Sequence, residues 1–191
     1  MTTTIKTQQD AIQQLGDIAV INLDVSIWSG QTALKPADLE LGQGAQLPPE
    51  TVALLGSKRI CSREDLRIFK TLKERARRHV AEHGLPFVGG YAVPVARIPL
   101  ITSVLDEVMA DFEKAKAKFL DNYETAIESW IADNPAYEAL IRSGIKPKAT
   151  VAERITSGYQ VFQLSPVAGA ETSLASASDG LAGELVSEVR K

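Results

Sequence analysis

Between Leu100 and Ile131, apolar residues recur at Ile101, Leu105, Val108, Phe112, Ala115 and Phe119, in alternating steps of four and three. After one additional step of four, the series resumes at Tyr123, Ala126 and Trp130. A repeat of this period lies on one face of an α-helix, and the additional step is a stutter in a heptad-like stripe. At about 1.5 Å per residue the helix would run to roughly 45–50 Å, more than a small compact domain needs. This stripe constrains the fold most. It demands a cover of apolar side chains, from the chain itself or from a partner in a coiled coil.

The rest of the chain supplies shorter elements. In Ile18–Trp28, Ile21, Leu23, Val25 and Ile27 alternate with polar residues, the period of a half-buried strand. Ser29-Gly30 is a turn signal, and Gln31–Leu34 is expected to return as its short partner. Pro36 and Pro49 are placed to open single helical turns, Ala37–Leu41 and Glu50–Leu55. Ser62 reads as a cap, with Glu64 and Asp65 in the first turn of a helix carrying Leu66, Phe69, Leu72, Ala76 and Val80, stopped at Gly84. Leu85–Val93 reads as an edge strand or extended loop. Its Gly89-Gly90 pair indicates a bulge or a close backbone crossing. Asn134-Pro135 ends the long helix and opens a shorter one over Ala136–Ser143, one or two further turns fall within Ala149–Ile155, and Gly158–Leu164 alternates as a second strand. The sequence therefore predicts an α+β fold: a small antiparallel sheet pairing the N- and C-terminal strands, with a long helix and a helical hairpin or arm. Residues 1–16 are expected to be a flexible arm, 17–165 one α+β domain, and 166–191 a Gly/Ala/Ser-rich flexible tail.

Composition excludes several classes. The chain has 191 residues, 45 % hydrophobic and 24 % charged, with a formal net charge of −3, so no global attraction to nucleic acid or an anionic membrane exists. The single cysteine, Cys61, forbids an internal disulfide and a cysteine-rich zinc site. No basic start precedes an apolar core at the N-terminus, and no apolar run approaches the ~18 residues of a membrane span. A cytoplasmic protein that does not engage a membrane is expected.

Three features bear on chemistry. His79-Val80-Ala81-Glu82-His83 matches the H-x-x-E-H pattern of inverted zinc peptidases, in which two histidines would hold zinc and Glu82 would act as base. Against it, His83 falls in the last, fraying turn before Gly84, and histidine near a helix C-terminus already has a favourable dipole interaction. No metal is expected. Charge is also divided along the chain. From Lys58 to Arg78 nine basic residues face three acids, a net of +6, whereas from Leu100 to Leu140 nine acids face three lysines, a net of −6. Lys58, Arg59, Arg63, Arg67, Lys70, Arg77 and Arg78 could track a phosphate backbone, or the basic helix could lie beside the acidic one and pair with it. Finally, Gly89-Gly90 lacks the spacing and lysine of a phosphate loop, so no nucleotide cofactor is expected. Cys61 reads as a buried structural thiol.

Several segments together resemble the family known as domain of unknown function 3150. They are Val25–Leu34 (VSIWSGQTAL), Leu55–Ile60 (LGSKRI), Phe87–Pro94 (FVGGYAVP), Phe112–Tyr123 (FEKAKAKFLDNY) with Trp130-Ile131, and Gly158–Phe162 (GYQVF). The resemblance spans roughly residues 20–165. Such proteins occur in bacteria and phages and are often encoded beside a MoxR-type AAA+ ATPase and a von Willebrand factor A-type protein. It implies an accessory or adaptor role beside a ring ATPase and supplies no catalytic residues. The leading expectation is thus a non-enzymatic interaction protein that docks an AAA+ ATPase or a second copy of itself through Ile101, Leu105, Val108 and Phe112. The alternative is nucleic-acid binding by the basic helix over 58–78.

Overall fold

The structure is a computed structural model that describes residues 17–39 and 55–163. The strands are β1 (Ile18–Leu23), where the alternation lies, β2 (Gln31–Ala33), β3 (Ser57–Arg59), β4 (Leu85–Phe87), β5 (Gly90–Pro94) and β6 (Tyr159–Gln163). Segments of helical period form α1 (Arg67–Ala81), α2 (Ile98–Asp121), α3 (Tyr123–Asp133), α4 (Glu138–Arg142) and α5 (Lys148–Glu153). The fold is α+β. The described residues fall into two compact units, one of residues 17–25, 72–111 and 157–163, the other of 26–39, 55–71 and 112–156. The expected N-terminal arm, C-terminal tail and helical turn at Glu50–Leu55 lie outside the described residues, apart from Leu55.

The first unit contains a four-stranded antiparallel sheet of order β4-β5-β1-β6. As the alternation implies, the N- and C-terminal strands pair, with Ile21 opposite Val161. Strand β1 is not half-buried, however. It lies between two neighbours, and Ile18, Ala19, Val20 and Ile21 are all buried, as in a central strand covered on both faces. The segment expected as an edge strand or loop, Leu85–Val93, is a hairpin whose second strand, β5, is also central. A Cβ on Gly90 would come within 2.5 Å of the Ile21 carbonyl oxygen, which is the close crossing that the paired glycines indicate. Gly84 does not take up the left-handed conformation of a helix-ending glycine. It is needed because a Cβ there would meet the Ala92 carbonyl oxygen at 2.5 Å. At the sheet's far edge, the Tyr159 hydroxyl donates to Asp106 Oδ1 at 2.6 Å and ties β6 to α2. Burial, then this acceptor, pushes the phenol up to about 12.

The β4–β5 hairpin turns through Val88 and Gly89, with φ of 46° and 75°. Positive φ at both central positions is the type I′ signature, for which Asn-Gly is the preferred pair. A β-branched residue there is strained, and Val88 is 70 % exposed, so little burial offsets the strain. Val88→Asn is expected to raise stability by about 1 kcal/mol, read from the chemical-denaturation midpoint. A lowered midpoint would show that the valine side chain contributes more than its backbone costs.

The second unit is built on aromatic contacts. Trp28 meets Phe119 and Tyr123 at ring-centroid separations of 6.2 and 5.9 Å, and Phe69 meets Phe112 and Phe119 at 5.1 and 5.8 Å. Such tilted and edge-on pairs add to the apolar burial of each ring. Strand β2 pairs with β3, with Gln31 opposite Arg59, rather than folding back on the strand before it. The reason lies at Gly30, where φ is +67° and a Cβ would meet Cys61 Sγ at 2.7 Å. That left-handed residue redirects the chain, and the Gly30 carbonyl accepts the Ile60 N–H at 3.0 Å.

The long stripe does form helix, but as two pieces. α2 ends at Asp121, Asn122 has φ −97° and ψ 6°, and α3 begins at Tyr123. The stutter in the sequence marks this interruption. Ile101, Leu105, Val108 and Phe112, expected to be offered to a partner, are between 0 and 1 % exposed. Their stripe is buried within the chain itself.

Candidate functional site

The seven cations expected to follow a phosphate backbone meet different fates. Lys58 is buried. Its Nζ lies 2.6 Å from Asp38 Oδ1 and donates to Ser143 Oγ at 2.6 Å. Arg67 pairs with Glu64 at 3.2 Å on the exposed surface. In the first unit, Arg77 pairs with Glu74 at 2.9 Å, and Arg78 is exposed. The neighbouring Arg75 reaches Asp111 at 3.5 Å and Glu107 at 4.0 Å, so part of the basic helix does pair with the acidic one. Arg59, Arg63 and Lys70 behave otherwise. All three line one cleft of about 390 Å³ in the second unit, together with Ile27, Trp28, Ser29, Gln31 and Leu66.

Each of the three cations is placed by local structure. Arg59 ends β3 directly across from Gln31, and its carbonyl accepts the Trp130 indole N–H at 3.4 Å. Arg63 precedes the turn of 3-10 helix Glu64–Leu66, whose Glu64 N–H is accepted by Ser62 Oγ at 3.2 Å. From Arg63 the spacing to Leu66 and then Lys70 is three and four, so these residues share one side of the helical segment. Among the described residues no acid lines the cleft, and Arg59, Arg63 and Lys70 make no ion pair with a described acid. Three like charges gathered in a concave surface raise the local potential, and an anion bound there relieves it.

Two neutral polar side chains, Ser29 and Gln31, complete the lining. Ser29 Oγ accepts the Gln31 backbone N–H at 3.3 Å, leaving the hydroxyl proton free to donate. The Gln31 side-chain oxygen accepts from Ser57 Oγ at 2.9 Å, leaving its NH₂. Trp28 is only 3 % exposed, with its ring engaged by Phe119 and Tyr123, so it is a wall of the cleft and no stacking platform. Cys61, beside the cleft in sequence, is fully buried. Burial, then Asp65, pushes its thiol up to about 12 against the lowering effect of Arg59. It is expected to resist a disulfide reagent at pH 8 in the folded protein and to react fully in denaturant; rapid reaction of the folded chain would contradict this burial.

Two other clusters have chemically capable residues. Ser143 Oγ lies 2.6 Å from Lys58 Nζ and 3.1 Å from Asp38 Oδ1, next to a cleft of about 510 Å³ that Tyr137 and Leu140 help to line. A lysine activates a serine only when its amine is neutral, and this one is engaged by a carboxylate. Lys58, then the Lys35 backbone N–H, holds Asp38 down to about 2, so the trio joins three distant segments as a charged staple. His79 and His83 have ring centroids 5.0 Å apart, and the buried His79 Nε2 and His83 Nδ1 have no hydrogen-bond partner. Burial, then His79 and Arg97, lowers the His83 pKa. Among the described residues no group of three or more His, Cys, Asp or Glu side chains is gathered to hold a metal, so the H-x-x-E-H spacing folds without a third ligand there. None of the described helices is long and apolar enough to cross a membrane.

The fold and its cleft define a small α+β protein with a cationic recess. Residues 15–191 match the family described as a protein of unknown function, DUF3150, and the chain belongs to that family. The match extends the resemblance carried by residues 20–165 to the end of the chain. Among curated proteins and solved structures, none matches.

Proposed function

We propose that this chain is a non-enzymatic nucleic-acid-binding protein that contacts phosphate through Arg59, Arg63 and Lys70. The observation that carries this reading is that these three cations, from two separate segments, line one recess in which no described residue is an acid. Phosphate contacts of this kind supply affinity without sequence information, and they weaken steeply with salt. Fluorescence anisotropy with a labelled single-stranded oligonucleotide at 50 and 200 mM salt tests it. Binding that falls with salt is expected, and no binding at 50 mM would remove the proposal.

The second reading is an accessory protein in the cytoplasm beside a MoxR-type AAA+ ATPase, or one that associates with itself. Strand β6 favours a protein partner: it is an edge strand, and Val161 and Phe162 stay 38 and 39 % exposed on it. A strand at the edge of the described sheet can accept a partner's strand. Co-purification of the ATPase with the wild-type chain, lost on Phe162→Lys, would support this reading. A chain that elutes as a monomer and retains no ATPase would oppose it.

A further inference from the structure

We infer that the cleft of Arg59, Arg63 and Lys70 takes the phosphorylated end of a nucleic-acid strand rather than its interior. The inference rests on the nucleic-acid reading and narrows it to one ligand group. The first reason is charge. An internal phosphodiester carries one negative charge, whereas a terminal phosphate carries about 1.5 to 2 at pH 7, and with the adjoining diester about 3. Three lining cations with no described acid among them match the end of a strand and exceed what one internal phosphate requires.

The second reason is the lining. The Ser29 hydroxyl and the Gln31 NH₂ can each donate a hydrogen bond, beside the three cations, to the additional oxygens of a terminal phosphate. The third is the position of Trp28. Its ring is packed away, so the recess has no aromatic surface for a base, and recognition falls on phosphate alone. A duplex backbone is a broad convex ridge. A recess of about 390 Å³ admits a group that projects, as a strand end does.

The experiment compares two single-stranded oligonucleotides of identical sequence, one with a 5′-phosphate and one with a 5′-hydroxyl, at 50 mM salt. Binding of the phosphorylated strand at least 10-fold tighter is expected, and Arg63→Gln and Lys70→Gln should each erase most of that preference. Both residues are exposed, so the variants keep the fold. Inorganic pyrophosphate should compete with the phosphorylated strand. Equal binding of the two oligonucleotides would overturn this inference and leave the broader nucleic-acid reading standing; no binding of either would overturn both. A phosphoserine peptide that competes as well as the phosphorylated strand would overturn the assignment to nucleic acid.

Discussion

Replacing Arg63 and Lys70 together by glutamate is expected to abolish oligonucleotide binding, a loss exceeding 100-fold at low salt. The change removes two of the three charges that meet at the cleft and places two carboxylates where phosphate would sit. With three cations each neutralising about one phosphate charge, the wild-type protein should show a slope of about −2 in log Kobs against log salt, or roughly 20-fold weaker binding between 50 and 200 mM. Each neutral variant, Arg63→Gln or Lys70→Gln, should reduce the magnitude of that slope by about 0.7. Arg77→Glu is the control. Arg77 belongs to the other unit and already pairs with Glu74, so binding should be unchanged. If the double variant binds like the wild type, the cleft is not the contact surface.

Lys58→Ala is expected to have the largest effect on stability, lowering the melting temperature by roughly 10 °C. Removing the ammonium leaves the Asp38 carboxylate, with its side chain 8 % exposed, without its main partner, and takes from Ser143 the donor at 2.6 Å. An apolar pair, Lys58→Met with Asp38→Leu, should recover much of the loss because neither group then needs a counter-charge. The same contact sets a pH dependence. Asp38 is depressed from 3.8 to about 2, so its contribution is fully present above pH ~4 and is lost as pH falls through about 2. Circular-dichroism melts from pH 5 to 2 should show the wild type losing stability over this window more steeply than the apolar pair. Parallel pH profiles would indicate that Asp38 does not titrate as the contact requires.

The fates of Lys58 and Arg59 show why the site was only partly legible. Both are basic residues in one strand, and the sequence places both in a single run of positive charge. Successive side chains of a strand point to opposite faces, so one is directed to Asp38 and Ser143 and its neighbour to the cleft. Nothing local announces that an aspartate 20 residues earlier and a serine 85 residues later complete the buried contact. The spacing of Arg63, Leu66 and Lys70 does signal a shared helical side, but β2 brings Ser29, Gln31 and Arg59 to it only through pairing with β3.

The stripe from Ile101 to Phe119 makes the same point for the fold. Its period required helix and an apolar cover, and the additional step of four marked where α2 gives way to α3 at Asn122. A buried core face and an exposed docking face have the same period, so the stripe alone could not say what covers it. The structure decides that the chain itself does, at Ile101, Leu105, Val108 and Phe112.

By itself the sequence determined the α+β class, the helices of 3.6 period and family membership, because these follow from local periodicity and short segments, and it put the two terminal strands in one sheet because a small α+β fold has few other partners for them. Tertiary structure alone decided that β1 is central, that β2 pairs with β3, and that three of seven candidate cations share a recess while a fourth is buried. Those outcomes depend on strand order and on partners far apart in sequence, which no local pattern encodes.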